Sequence, residues 1–149
     1  MKLLFPGTFD PFTVGHADLV ERALRIADEI IIAVGINESK HTMFDVDDRI
    51  SAIKEYYKEN PRVKVMGYDG FTSDVVKSEG ANAILRGVRS VVDYEYERNM
   101  ADVNFNIEGV ETIFLYAAPA NQYISSSLVR EMIRFGRPID KLVIDTFHT

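Results

Sequence analysis

The sequence contains no cysteine, which excludes disulfide bonds and thiolate catalysis. No apolar run approaches the roughly 20 residues that a membrane-spanning helix needs. No internal repeat, low-complexity segment or linker interrupts the chain, and the GxxxxGK[ST] pattern of a P-loop does not occur. These absences predict a single domain over residues 1–149, with no span of the membrane and no P-loop for phosphate.

A basic excess is also missing, since 17 lysines and arginines stand against 23 acidic residues. The formal net charge of −6 argues against nonspecific nucleic-acid binding, which needs a basic face. It does not exclude a phosphate ligand, because the charge of a site is local. The first residues enter a strand pattern at once and lack the layout of a signal peptide. We therefore expect a cytoplasmic protein with no nucleic-acid partner.

Strand-like and helix-like patterns alternate along the whole chain. Residues 29–36 are almost entirely apolar, as in a strand that is covered on both faces. Repeated βα units of this kind build a parallel sheet with right-handed crossovers. The sequence thus predicts a doubly wound, Rossmann-like α/β fold with five parallel strands and helices on both faces. The strands are expected at residues 2–5, 29–36, 63–66, 83–85 and 112–116.

The most informative segment is GTFDPFTVGH, residues 7–16. It follows a short apolar run and precedes a helical pattern, so a turn and a helix N-terminus direct their free N–H groups toward one place. Gly15 lets a ligand approach the backbone closely. His16 stands at the helix start, where a positive charge would oppose the helix dipole. A neutral imidazole that donates to a bound phosphate explains this placement.

Three further blocks follow in order: Ser39-Lys40 with Met43-Phe44, RGVR at 86–89 with DYEYE at 93–97, and YISSS at 123–127. Together with the first segment they resemble the motifs of the T/HxGH nucleotidyltransferases. Thr13, which stands in place of the first histidine of that motif, is similar to the bacterial phosphopantetheine adenylyltransferase branch. All four blocks lie after predicted strands or at helix starts. We expect them to meet at one edge of the sheet, where such folds bind ligands.

The resemblance implies an enzyme of coenzyme A biosynthesis that transfers the adenylyl group of ATP to 4′-phosphopantetheine. The products are dephospho-CoA and pyrophosphate, formed by direct in-line attack without a covalent intermediate. It further implies Mg²⁺ bound with ATP, a homohexamer, and coenzyme A as a feedback ligand. No group of histidine or acidic residues has metal-ligand spacing, so no metal held by the protein itself is expected.

The resemblance also assigns site residues. His16 would stabilise the transition state, with Thr8 and Lys40 as further catalytic residues. The acceptor would contact Thr8, Lys40, Thr72 and Arg86. The residues implied for ATP are Thr8, Phe9, His16, Gly87, Val88, Arg89, Glu97, Asn121, Gln122, Tyr123, Ile124, Ser125, Ser126 and Ser127.

Plainer interpretations exist for several of these residues. Arg86 and Arg89 suit phosphate oxygens through their forked donors, and the plainer alternative is a pair of surface ion pairs with the carboxylates nearby. One serine of the run at 125–127 suffices as a helix N-cap. The resemblance alone selects Glu97. Two other functions remain open: a sister nucleotidyltransferase with another acceptor, such as nicotinamide mononucleotide or glycerol phosphate, and a nucleotide-sensing or electron-transfer module.

Overall fold

The computed structural model describes residues 1–37 and 41–149. Strands and helices alternate along these residues, as the sequence pattern predicts. The strands are β1 (Lys2–Gly7), β2 (Glu29–Gly35), β3 (Val63–Tyr68), β4 (Ala83–Val88) and β5 (Thr112–Tyr116). The helices are α1 (Val14–Ala23), α2 (Val46–Tyr56), α3 (Thr72–Glu79), α4 (Val91–Glu108) and α5 (Ser126–Arg134), with a 3₁₀ turn at Pro119–Asn121.

The described strands form one parallel sheet in the order β3-β2-β1-β4-β5. This confirms the predicted Rossmann-like α/β fold. β1 lies centrally, and its Leu3 pairs with Ile30 of β2 on one side and with Ala83 of β4 on the other. The strand order reverses between β1 and β4. Ligands of open α/β sheets bind beyond the carboxyl ends of the strands at such a point.

The sheet is covered on both faces because its central strands carry apolar side chains in both directions. In β1, Leu3 and Phe5 belong to the core cluster that contains residues of α1 and α2. Leu4 points to the opposite cluster, which contains Val75 and Val76 of α3. Successive side chains of a strand alternate between the faces, so each central strand anchors helices on both sides.

Three strands are longer than the sequence pattern predicts, among them β3, which continues from the expected end at residue 66 to Tyr68. β1 continues to Gly7, and β4 continues past the expected end at residue 85 to Val88. Arg86 and Gly87 therefore lie within β4, where they pair with Phe114 and Leu115 of β5. A charged residue ends an apolar run in the sequence, but backbone pairing with β5 continues through it. Arg86 is consequently held by the sheet and not by a loop.

The chain after α5 returns to the start of α1. Val143 forms an isolated antiparallel bridge with Thr13, and the Val14 amide donates to the carbonyl of Leu142 at 2.9 Å. The ring of Phe147 packs edge-on against Phe44, with centroids 4.8 Å apart. This tail packs beside the segment that leads into α1. Within the described residues, no helix combines the length and apolarity that would be needed to span a membrane.

Candidate active site

Two adjoining cavities open beyond the carboxyl ends of β1 and β4. The larger has a volume of about 620 Å³ and the smaller about 310 Å³. They share Pro6, Gly7, Thr8 and Arg86 as lining residues. Sites predicted from separate parts of the sequence thus meet at the switch in strand order. The smaller cavity collects these predicted ATP residues: Thr8, Phe9, His16, Gly87, Arg89, Asn121, Ile124, Ser125, Ser126 and Ser127.

The larger cavity collects the predicted acceptor residues Thr8, Thr72 and Arg86. Glu97, which the resemblance assigned to ATP, also lines this cavity and is not part of the smaller one. Lys40 lies outside the described residues. The remaining predicted ATP residues line neither cavity in the described part of the chain: Val88, Gln122 and Tyr123. Val88 is buried in the sheet, and Tyr123 is 65% exposed.

His16 is fixed by a capping box at the start of α1. Thr13 is the N-cap, and its hydroxyl accepts the His16 amide at 3.3 Å, while the imidazole Nδ1 accepts the Thr13 amide at 3.0 Å. Histidine here takes the part that glutamate or glutamine usually plays in this motif. Because Nδ1 accepts a hydrogen bond from the backbone, the proton of the neutral ring lies on Nε2. His16 is therefore set as a donor through Nε2.

The surroundings of His16 keep its ring neutral. The rings of Phe5, Phe9 and Phe12 lie around it, at centroid distances of 6.1, 5.0 and 5.2 Å. Burial, together with the positive charges of Arg86 and Arg89, lowers the pKa of His16 to about 3. A positive imidazole would be disfavoured both by these charges and by the helix dipole. These surroundings favour the neutral imidazole that the sequence position predicts.

Gly7 and Phe9 form the turn between β1 and α1. Phe9 has a φ of 51° and is almost fully buried. This left-handed conformation is uncommon for a bulky residue and marks local strain. It turns the Phe9 ring over Gly7, where an added Cβ would lie 2.8 Å from Phe9 Cζ. Gly7 is therefore required by packing within the protein.

Gly15 differs, since a Cβ there would meet only the Thr13 hydroxyl oxygen at 3.4 Å. This residue lines the smaller cavity. Packing within the protein therefore does not require glycine at this position, and a side chain here would extend into the cavity. This agrees with the expectation that Gly15 admits a ligand close to the backbone.

Arg86 is held between the two cavities. Its Nε and Nη2 donate to the Glu97 carboxylate at 2.8 and 2.6 Å, and Nη1 donates to the Pro6 carbonyl at 2.6 Å. Glu97 is 8% exposed. Burial disfavours the charge of Arg86, but the hydrogen bond and charge of Glu97 outweigh it and raise the pKa of Arg86. The forked pair orients the guanidinium and leaves two of its five N–H donors for a ligand.

The serine run begins α5, and each hydroxyl has its own partner. Ser125 is the N-cap and accepts the Leu128 amide at 3.0 Å. Ser126 donates to the Pro11 carbonyl at 2.8 Å, and Ser127 accepts from Arg130 at 3.1 Å. The single N-cap that the sequence requires is thus Ser125. The bond from Ser126 ties the start of α5 to the turn after β1, so the N-termini of α1 and α5 face the same cavity.

Arg130 is a site residue that the sequence analysis missed. It lines the smaller cavity, and its Nη1 donates to the Asp10 carbonyl at 2.9 Å. Its position three residues after Ser127, on the same helix face, was the available signal. With Arg86 and Arg89 it gives this cavity three guanidinium groups beside two helix N-termini. Such a lining is suited to a polyphosphate.

Asp10 and Arg49 lie beneath the site, with 4% and 5% of their surface exposed. The Asp10 carboxylate accepts the amides of Met43 and Phe44 at 2.8 and 2.9 Å. The sequence marked Asp10 only as a residue that shapes the turn. The structure shows that it joins the first block to the second. The sequence does not single out Arg49, because it stands among charged residues at a helix start.

The chain matches known proteins over most of its length. The Cytidylyltransferase-like family profile matches residues 4–132. A phosphopantetheine adenylyltransferase of Bacteroides thetaiotaomicron is 48% identical over 142 residues, which cover 95% of this chain and 94% of that protein. One of Porphyromonas gingivalis is 49% identical over 144 residues, covering 97% and 94%.

A solved structure shares the fold. It is a bifunctional NMN adenylyltransferase/ADP ribose pyrophosphatase from Francisella tularensis, complexed with AMP and manganese. The TM-score is 0.68 at 16% identity, over 95% of this chain. This chain spans 44% of that protein's length. At this identity the likeness supports the fold alone.

Proposed function

The chain belongs to the cytidylyltransferase-like family and, within it, to the phosphopantetheine adenylyltransferases, and we propose from this membership how its two cavities perform the reaction. The chain is a nucleotidyltransferase of coenzyme A biosynthesis, with ATP and 4′-phosphopantetheine as substrates. The smaller cavity takes ATP and the larger takes the acceptor. The observation that carries this assignment is the meeting of the two cavities at Thr8 and Arg86.

The acceptor phosphate attacks the α-phosphorus of ATP in line. A bond forms from an acceptor oxygen to this phosphorus, and the bond to the β-phosphate bridging oxygen breaks. The electron pair leaves with pyrophosphate, and dephospho-CoA remains. A phosphate dianion is already a competent nucleophile, so no general base and no covalent intermediate are needed. Positioning and charge stabilisation then supply the catalysis.

His16 donates from Nε2 to an α-phosphate oxygen as negative charge develops there. Its lowered pKa suits this part, because a neutral ring donates a hydrogen bond without releasing a proton. Thr8 lies where the cavities join, so its hydroxyl serves the reacting oxygens. Arg86 and Lys40 hold the acceptor phosphate. Arg89, Arg130 and the N-terminus of α5 hold the phosphates that leave.

Mg²⁺ enters with ATP in this proposal. When bound, it neutralises part of the triphosphate charge, and phosphate oxygens supply most of its ligands. The cavity lining fits this division, because its arginines and helix N-termini bind phosphate oxygens and not a cation. Since ATP is the donor, we place the activity in the cytoplasm.

We further propose a homohexamer. Along α4, five apolar side chains recur every three or four residues and are 48–77% exposed: Val92, Tyr96, Met100, Val103 and Ile107. This spacing places them on one face of the helix, and contiguous apolar surface of this kind marks an interface. Further copies of the chain cover it in the proposed hexamer.

Tyr96 and Met100 also line the larger cavity, where coenzyme A would compete with the acceptor as a feedback ligand.

An acceptor panel tests the proposed function. The purified protein is mixed with ATP and Mg²⁺, and pyrophosphate release is measured with 4′-phosphopantetheine, nicotinamide mononucleotide or glycerol phosphate. We expect release only with phosphopantetheine, together with dephospho-CoA by mass spectrometry. Turnover of another acceptor instead would identify a sister nucleotidyltransferase. Binding of ATP without any turnover would favour a nucleotide-sensing module.

A further inference from the structure

Arg49 is a buried cation that the mechanism above does not use. It lies in the first turn of α2, and its guanidinium donates to three main-chain carbonyls. Nη1 reaches the carbonyls of Thr8 at 2.6 Å and Gly35 at 3.2 Å, and Nε reaches Phe44 at 3.0 Å. Burial lowers the pKa of Arg49, while Asp10 and Asp45 oppose that effect. An arginine keeps its charge at neutral pH even so.

The three acceptors belong to three separate parts of the site. Thr8 follows β1, Gly35 ends β2, and Phe44 precedes α2. Thr8 and Gly35 both line the larger cavity. The planar fork of arginine can hold several acceptors in fixed directions at once. Arg49 therefore sets the position of the Thr8 main chain relative to the neighbouring strand end.

Asp10 completes the same network from the other side. Its carboxylate accepts the Phe44 amide, while Arg49 takes the Phe44 carbonyl. Phe44 is thus held at both of its main-chain polar groups. Because Asp10 and Thr8 are two residues apart in one turn, the network links that turn to the segment before α2. Neither side chain needs to touch a substrate to have this effect.

We propose that Arg49, supported by Asp10, is a positioning residue that holds Thr8 where its hydroxyl meets the acceptor phosphate. This rests on the proposed function, in which Thr8 serves the reacting oxygens. The role predicts that loss of the network acts through Thr8 alone. If the substitution of Arg49 instead weakened the fold in general, its effect on kcat would add to the effect of Thr8→Ala.

Arg62 provides a matched control. It also donates to three main-chain carbonyls, those of Leu24, Ala27 and Asp28, at 2.6–2.9 Å. These carbonyls lie between α1 and β2, at the opposite end of the sheet from the cavities. Arg49→Lys and Arg62→Lys therefore make the same chemical change, and only the former is near the site.

The experiment compares Arg49→Lys, Arg62→Lys, Thr8→Ala and the double variant Thr8→Ala/Arg49→Lys. We expect Arg49→Lys to lower kcat by about 10- to 100-fold, since small displacements of reacting groups have effects of this order. KM for ATP should stay within about threefold. Arg62→Lys should keep the wild-type kcat even if its melting temperature falls. The double variant should match Thr8→Ala within about threefold, because the shared route makes the effects non-additive.

A kcat for Arg49→Lys within about threefold of wild type would overturn the positioning role. So would a double variant whose loss equals the product of the two single losses. If Arg49→Lys does not fold, Asp10→Asn tests the same network by the same comparison with Thr8→Ala. Dephospho-CoA formation by the wild type is measured alongside: its absence overturns the proposed function, whereas its presence with an unaffected Arg49→Lys overturns only this inference.

Discussion

The Glu97 carboxylate binds Arg86 through two parallel hydrogen bonds, at 2.8 and 2.6 Å, at the boundary between the two cavities. This relationship gives Glu97 a function that the sequence did not indicate. It orients the guanidinium that lines both cavities and balances a charge that burial would otherwise disfavour. Buried ion pairs of this kind are costly to break from one side, because the remaining charge loses its partner.

Replacement of Arg86 should therefore weaken binding of the acceptor far more than binding of ATP. Arg86→Ala removes charged hydrogen bonds worth on the order of 1.5–3 kcal/mol, which corresponds to about 10- to 150-fold in acceptor affinity. Lys40→Ala should act in the same direction. Calorimetric titration with phosphopantetheine and with ATP separates the two effects. A large loss of ATP affinity beside unchanged acceptor affinity would contradict the assignment of the cavities.

Replacement of His16 should lower turnover and leave ATP binding largely intact. His16→Ala removes the Nε2 donor, whereas His16→Gln keeps the capping box through its amide oxygen and still carries N–H donors. His16→Ala is therefore the test of turnover, and His16→Gln controls for the loss of the capping box. Loss of one donor to a developing negative charge typically lowers kcat by about 10²–10³-fold. Pyrophosphate release measures kcat, and His148→Ala is the control in the C-terminal tail. Turnover within about threefold of wild type would show that His16 does not stabilise the transition state.

The neutral state of His16 also predicts a pH effect on stability. Its pKa is lowered to about 3 from 6.5, so the unfolded chain binds a proton at this residue between these values and the folded chain does not. The residue's contribution to stability is full above about pH 6.5 and is lost as pH falls toward 3. Urea unfolding of His16→Gln should therefore show a shallower decline over this window than wild type. Parallel declines would contradict the lowered pKa.

Two glycines of the first segment should respond in opposite ways to alanine. Gly7→Ala places a methyl group 2.8 Å from the Phe9 ring, and overpacking of this kind typically lowers stability by about 1–3 kcal/mol. Gly15 lies in α1, where alanine is the better helix former by up to about 1 kcal/mol. Gly15→Ala should therefore fold normally and lose ATP affinity, because its methyl group enters the smaller cavity. Thermal unfolding and ATP titration of both variants test this, and normal ATP affinity in Gly15→Ala would refute it.

The proposed hexamer, in which the apolar face of α4 lies in an interface, can be tested by the mass of the particle in solution. Sedimentation of the wild type should give a mass about six times the 16.9 kDa of the chain. Val92→Asp combined with Ile107→Asp should break the hexamer into smaller species, because each charge would be buried unpaired in the interface. Ile26→Asp is a suitable control, since Ile26 is 54% exposed away from α4. A wild-type monomer at micromolar concentration would contradict the proposed hexamer.

The sequence by itself determined the alternation of strands and helices, and hence the parallel sheet. Apolar runs such as residues 29–36 have no alternative to burial on both faces, so local pattern and final structure agree. It also indicated a neutral His16, because the position of this residue at a helix start is a local feature of the sequence. The segments that meet at the cavities were predictable too, since the carboxyl ends of parallel strands share one edge.

Only the tertiary structure decided which groups pair across that edge. β4 continues through Arg86 because β5 lies beside it, and Glu97 reaches Arg86 because α4 crosses the same strand end. Arg49 and Asp10 look like ordinary charged residues in the sequence. The Phe44 carbonyl is five residues from Arg49, but their other carbonyl and amide partners are 14 to 41 residues away. Main-chain groups leave no trace in residue identity, so a network built on them becomes visible only when the chain is folded.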